Sequence, residues 1–117
     1  MSKVTVETLI SQMNLKLIAG EDGLQNEIEG GYVGDLLSFV MAHAKEKNIW
    51  ITIQGHINSI AVASLLELSA IILSEDVTPD EEMIQKANEE GIPVLCTTHN
   101  SFDVICEFVS VNKEQEN

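Results

Sequence analysis

The sequence predicts a single α/β domain with a mainly parallel sheet flanked by helices. Three observations predict it. From Ile49 onward, short apolar runs alternate with longer segments of helical spacing, the order that lays strands side by side with helices across them. The runs Ile49 to Ile53, Ala70 to Leu73 and Val94 to Cys96 are almost wholly apolar, as strands covered on both faces must be. A chain of 117 residues with 44% hydrophobic content can also build one core without help from disulfides or metals. One domain is therefore expected over 1–117, with its core over 4–109.

The first helix begins at Val6 behind a cap at Thr5, because Val6, Leu9, Ile10 and Met13 recur in helical steps; Leu15 and Leu17 then alternate as in a short strand. Gly20, Glu21, Asp22 and Gly23 form a polar turn, and Glu27 to Val33 reads as extended where it meets Gly30, Gly31 and Gly34. A second helix places Val33, Leu36, Leu37, Val40, Met41 and Ala44 on one face, with Ser38, His43, Lys45 and Glu46 elsewhere. Later helices are expected over Asn58 to Leu68, Pro79 to Glu90 and Ser101 to Val109. The one from Asn58 is apolar nearly all round, which predicts deep burial. Thr78, Pro79 and Glu81 read as a capping-box start with proline in the first helical position, and Gly91 and Pro93 stop that helix. The tail from Asn112 to Asn117 is polar and aperiodic, and is expected to be flexible. Trp50 and Tyr32 read as core or edge residues.

Charge and composition narrow the function. The formal net charge is −13 and all six basic residues are lysines, so the electrostatic footprint of a nucleic-acid binder is missing. The longest apolar segment, Ile57 to Leu73, is interrupted by Asn58, Ser59, Ser64, Glu67 and Ser69, which argues against a membrane span. The start carries no export signal, and Cys96 and Cys106 fall in apolar stretches suited to small buried thiols; a reducing, cytoplasmic setting is expected.

In open parallel sheets ligands bind outside the carboxyl ends of the strands, where loops enter helix N-termini. The loops at that edge would be Gln54 to Ser59, Ser74 to Thr78 and Thr97 to Ser101, joined by the Gly30 to Asp35 segment. They supply the candidate ligand-binding residues Gly31, Gly34, Asp35, Gln54, His56, Asn58, Ser59, Thr97, Thr98, His99 and Ser101, a set that gives and takes hydrogen bonds but holds little fixed charge. Such a set suits binding better than hard chemistry. His56 and His99 without a carboxylate or thiolate companion make a weak metal signal. Cys96 sits where burial would keep it protonated, and Asp35 and Asp103 have no acid partner, so no catalytic residue, metal or cofactor is expected. The glycine cluster matches neither a dinucleotide fingerprint nor a P-loop, and all six lysines, including Lys16, are expected to lie away from the ligand edge.

Three segments carry a family resemblance: Gly30-Gly31-Tyr32-Val33-Gly34-Asp35-Leu36-Leu37-Ser38, Ile49-Trp50-Ile51-Thr52-Ile53-Gln54, and Gly91-Ile92-Pro93-Val94-Leu95-Cys96-Thr97. Together they resemble the DRTGG domain, over about Val4 to Val109. The resemblance implies a parallel α/β fold, a noncatalytic regulatory role and self-association as a homodimer. It implies no particular ligand, and the literal Asp-Arg-Thr-Gly-Gly string is absent because the chain has no arginine. Two readings follow: a self-associating module that senses a nucleotide or other small metabolite, or a scaffold that docks onto a larger enzyme or sensor kinase with no small ligand.

Overall fold

Thr5 starts the first helix for a local reason. Its hydroxyl accepts from the Thr8 N–H at 3.3 Å, while the Thr8 hydroxyl accepts from the Thr5 N–H at 3.4 Å. From there the computed structural model, which describes residues 4–116, runs α1 (Val6–Met13), β1 (Lys16–Ala19), a 3₁₀ turn (Glu21–Gly23), β2 (Gly31–Val33), α2 (Leu37–His43), β3 (Ile49–Thr52), α3 (Ile57–Leu66), β4 (Ala70–Leu73), α4 (Glu81–Glu90), β5 (Val94–Cys96) and α5 (Ser101–Glu116). The strands form one sheet in the order β1-β5-β4-β3-β2. It is parallel from β2 to β5, and β1 closes the edge antiparallel to β5.

Parallel crossovers share one hand, and β2 to β5 are neighbours in chain order, so α2, α3 and α4 all fall on one face. On the other face lie α1 and α5. The strand side chains divide between the two cores with the two-residue period of a pleat. Ile49, Ile51, Ala70, Ile72 and Leu95 meet Leu9, Val104 and Phe108 on the α1–α5 side. Trp50, Ile71, Leu73 and Val94 meet Val40, Ile60 and Met83 on the other. Trp50 is fully buried, and its indole N–H donates to the Gly34 carbonyl at 2.9 Å. At the turn after β1 the backbone comes very close to the loop before β5: Gly20 has φ +79°, and a Cβ there would sit 2.0 Å from the Ile92 carbonyl oxygen.

Several local expectations change. Val33 and Leu36 are not helical: Val33 closes β2 and Leu36 is the N-cap of α2. The predicted apolar face of α2 is only partly buried, for Val40 and Ala44 are enclosed while Val33, Leu36 and Met41 are exposed; Phe39, outside that face, is exposed too. In the same layer, α3 encloses Ser59, Ile60, Val62 and Ala63 but leaves Ile57 exposed and Leu65 67% exposed. The reason is architectural: one layer of helices covers each face of the sheet, so α3, packed on the strands and between α2 and α4, keeps its outer side uncovered.

Pro79 precedes α4 instead of opening it. The Asp80 N–H donates to the Gly55 carbonyl at 2.9 Å, which keeps this stretch extended until Asp80, the N-cap. No side-chain cap bond forms there. At the other end, the tail from Asn112, expected to be flexible, instead continues α5 as far as Glu116; Asn117 lies outside the described residues. Cys106 is exposed and Cys96 half-buried, where two buried thiols are predicted. Among the described residues no helix is long and apolar enough to cross a membrane.

Candidate functional site

After β4 the chain turns to α4 on one face, and after β5 it turns to α5 on the other. Where neighbouring parallel strands send their connections to opposite faces, a crevice opens at their carboxyl ends. A cavity of about 340 Å³ lies there. Cys96 and the β5–α5 loop residues Thr97, Thr98 and His99 line one side. Asp76 of the β4–α4 loop lines another, and Asn14 and Lys16 complete it. Lys16 reaches this edge because β1 is antiparallel: its first residue pairs with Cys96, the last residue of β5.

The walls are held by backbone bonds between the two loops. Glu75 and Asp76, at φ 61° and 60°, both occupy the left-handed region that side chains disfavour. Their N–H groups donate to the His99 carbonyl at 2.8 Å and the Thr97 carbonyl at 3.0 Å, which fixes that conformation. The Glu75 carboxylate accepts from the Ser101 N–H at 2.8 Å, and the Ser74 and Ser101 hydroxyls are 2.6 Å apart. Asn100 caps α5, its side-chain oxygen accepting from the Asp103 N–H at 2.9 Å. Burial pushes the Cys96 thiol above its ordinary pKa; Lys16 works against that rise and Asp76 adds to it.

The β2–β3 end of the same edge is closed. Asp35 accepts from the Thr52 hydroxyl at 2.8 Å and the Ile53 N–H at 3.0 Å. The Gln54 amide donates to the Asp35 carbonyl at 2.6 Å, and the buried Ser59 hydroxyl donates to the Gln54 carbonyl at 2.8 Å. Gly34 takes the Trp50 indole on its carbonyl and donates its own N–H to the Ile51 carbonyl at 3.2 Å. His56 pairs with Asp80 at 2.7 Å, tying the start of α3 to the start of α4. Asn58 is exposed in the first turn of α3. Gly31 lies elsewhere, beside Ile49 at the amino end of β2. His56 sits with the α3–α4 layer, whereas His99 pairs with Glu107 of α5 at 3.1 Å, so the two histidines do not converge.

A second cavity, of about 370 Å³, opens at the amino end of the sheet. Glu27, Glu46, Glu67 and Glu90 line it with Lys47, whose ammonium is 3.8 Å from Glu27 and 3.4 Å from Glu29. It lies opposite the edge where parallel sheets present their loops and helix starts.

The family model described as the DRTGG domain matches residues 8–109. This chain belongs to the DRTGG domain family. No curated protein matches it in sequence. Among solved structures it is similar to one described as the CBS and DRTGG domains of the regulatory region of Clostridium perfringens pyrophosphatase, complexed with the activator diadenosine tetraphosphate. That match has 19% identity and a TM-score of 0.69 over 92% of this chain. The chain spans about half the length of that structure, covering 47% of it.

Within this DRTGG domain, the sequence reading missed Lys16 and Asp76. The lysines were expected away from the ligand edge because Lys16 opens the first strand, and in an all-parallel sheet the start of a strand lies at the opposite end. The signal lay in the connection: the antiparallel strand β1 inverts that rule. Asp76 falls within the Ser74 to Thr78 loop expected at this edge, but an acidic loop residue in so acidic a chain carries no signal of its own. Together they add fixed charges of both signs to a lining otherwise made of the Thr97 and Thr98 hydroxyls, the His99 imidazole, the Cys96 thiol and the Asn14 amide.

Proposed function

We propose that this DRTGG domain is a noncatalytic regulatory module that self-associates and senses a small ligand, a nucleotide or another small metabolite, at the carboxyl edge of its sheet. The observation that carries the reading is the β4–β5 cavity, placed where parallel sheets bind ligands and lined by groups that recognise polar molecules. Family membership supports the regulatory role, as does the neighbour's place in a regulatory region bound to a nucleotide activator. The candidates nearest the cavity are Thr97, Thr98 and His99, and Ser101 follows on the same loop. Asp35, Gln54 and Ser59 instead support the strand ends at the β2–β3 end of the edge. A cytoplasmic setting, with no nucleic-acid partner, fits the acidic composition.

The test is thermal unfolding with adenine and nicotinamide nucleotides and central metabolites at millimolar concentration. A compound that binds only the folded chain raises its melting temperature. If none does, the sensing half of the reading fails.

Self-association has support of its own. Of the nine large exposed apolar side chains among the described residues, Val33, Leu36, Phe39, Met41, Ile53, Ile57 and Leu65 lie on β2, on α2 and its N-cap, on α3 and just past the end of β3. These elements surround one helical layer, and α3 bears no charged residue from Ile57 to Leu66. A neutral face lets two strongly acidic copies meet at the least electrostatic cost. Light scattering should give twice the chain mass, and Leu65→Asp with Phe39→Asp should return it to a monomer. A monomeric parent would remove this half of the reading.

The same apolar face favours the docking scaffold as the second reading. A larger enzyme or sensor kinase seated there would stay bound at high salt, whereas a partner drawn by the acidic surface would be released. Pull-down at low and high salt separates the two.

A further inference from the structure

Lys16 and Asp76 line one cavity, and neither side chain has a hydrogen-bond or ion-pair partner among the described residues. Lys47 and Lys86, by contrast, are paired. Lys47 lies within 4 Å of both Glu27 and Glu29, and Lys86 is 3.6 Å from Glu90. In a chain of net charge −13, carboxylates are plentiful, yet the Lys16 ammonium and the Asp76 carboxylate form no ion pair with each other or with any other described residue. Both act on the half-buried Cys96 thiol with opposite signs, so the sulfur lies within electrostatic reach of each.

We propose that this cavity holds a small zwitterion of amino-acid size, its anionic group on the Lys16 ammonium and the Thr97 and Thr98 hydroxyls, its ammonium group on the Asp76 carboxylate. This rests on the reading of the carboxyl edge as a ligand-sensing site and narrows the ligand to a chemical class. An anion alone gains from Lys16 but is opposed by Asp76, and a cation alone meets the reverse. A molecule with both charges gains from both. The volume agrees, since about 340 Å³ stands at the low end of the range for small-molecule sites, about 300–1,000 Å³. Cys96 at the wall offers a neutral surface, and its raised pKa keeps the thiol protonated.

The cysteines make the test internal to the protein. The full chain is treated with iodoacetamide, and alkylation of Cys96 and of the exposed Cys106 is followed by peptide mass spectrometry. Probes are individual amino acids, acetate and inorganic phosphate as anions alone, methylammonium as a cation alone, and adenine nucleotides, all at millimolar concentration. Each variant is compared with and without probe, so that changes in thiol reactivity cancel. The expected result is that at least one amino acid slows Cys96 several-fold and leaves Cys106 unchanged, with protection lost in both Lys16→Gln and Asp76→Asn. Acetate and methylammonium should not protect.

Protection by acetate or phosphate equal to that of the amino acid, or persisting in Asp76→Asn, overturns the zwitterion assignment. So does a panel in which no amino acid shields Cys96. The broader reading fails separately: a nucleotide that raises the melting temperature without shielding Cys96 sustains ligand sensing while sinking this site. If no compound acts in either assay, both fall.

Discussion

At the β2–β3 end of the sheet, Asp35, Thr52, Gln54 and Ser59 answer one another's donors and acceptors through short hydrogen bonds, and the Trp50 indole donates to the Gly34 carbonyl. At the β4–β5 end, two strands further along the same edge, the backbone is equally well tied, but Lys16 and Asp76 line a cavity with no ion-pair partner among the described residues. Both ends are made of residues that a sequence reading would offer as ligand contacts. The difference teaches that polar residues at strand ends divide into those that complete the fold and those left to exchange partners. Among the described residues no buried side-chain nitrogen or oxygen lacks a partner, so what remains exchangeable is on the surface of the cavity.

The sharpest way to break the comparison is to make the closed end behave like the open one. Trp50→Ala removes the largest fully buried side chain and the bond to the Gly34 carbonyl. Its expected cost is about 3–5 kcal/mol, read as a lower urea midpoint. Asp35→Ala leaves the Thr52 hydroxyl, in a residue only 1% exposed, and the Ile53 N–H without their acceptor; about 1–3 kcal/mol should be lost. Denaturation that shows Asp35→Ala to be neutral would mean the β2–β3 network is ornament, and the division between the two ends would lose its basis.

The open end should respond more weakly where only secondary structure is touched. Asn100→Ala removes the side-chain cap of α5 and should cost about 1 kcal/mol. Because α5 packs on the α1 side of the sheet, this loss should appear in unfolding before it appears in any ligand assay.

What the residues announced and what they hid follows the same division. The strands Ala70 to Leu73 and Val94 to Cys96, the Thr5 cap and the Gly91 stop were legible because each depends on neighbours in the chain. Pro79 misled because a tertiary bond, Asp80 to the Gly55 carbonyl, overrides the local signal for a helix start. α3 misled in another way: all-round apolarity predicts enclosure, and Leu65 is exposed because no second layer of this chain covers it. The site was half legible. Parallel strands announce which loops share an edge, and Thr97 to His99 were placed by that rule. Lys16 was lost because strand direction is a property of the sheet and cannot be read from Leu15 and Leu17 alone.

The smallest expected effect on stability belongs to the pair that defines the open end. Lys16→Gln and Asp76→Asn should each change stability by less than about 0.5 kcal/mol, since both are exposed and unpaired. Their effect on Cys96 should be distinct and of opposite sign. Lys16 holds the thiol pKa down against burial, so Lys16→Gln raises it and slows alkylation at a fixed alkaline pH; Asp76→Asn lowers it and speeds alkylation. The linkage to folding follows in sign. With the folded pKa above its ordinary 9.0, the native chain keeps a proton that the unfolded chain releases, so this group's contribution is intact below pH 9.0 and is lost as pH rises through the folded value. The onset at pH 9.0 is common to all variants; Lys16→Gln should extend the loss to higher pH and Asp76→Asn should end it at lower pH. If both variants shift the Cys96 profile in the same direction, the two charges do not flank the thiol, and the contrast between the closed and open ends of the sheet reduces to a difference in exposure.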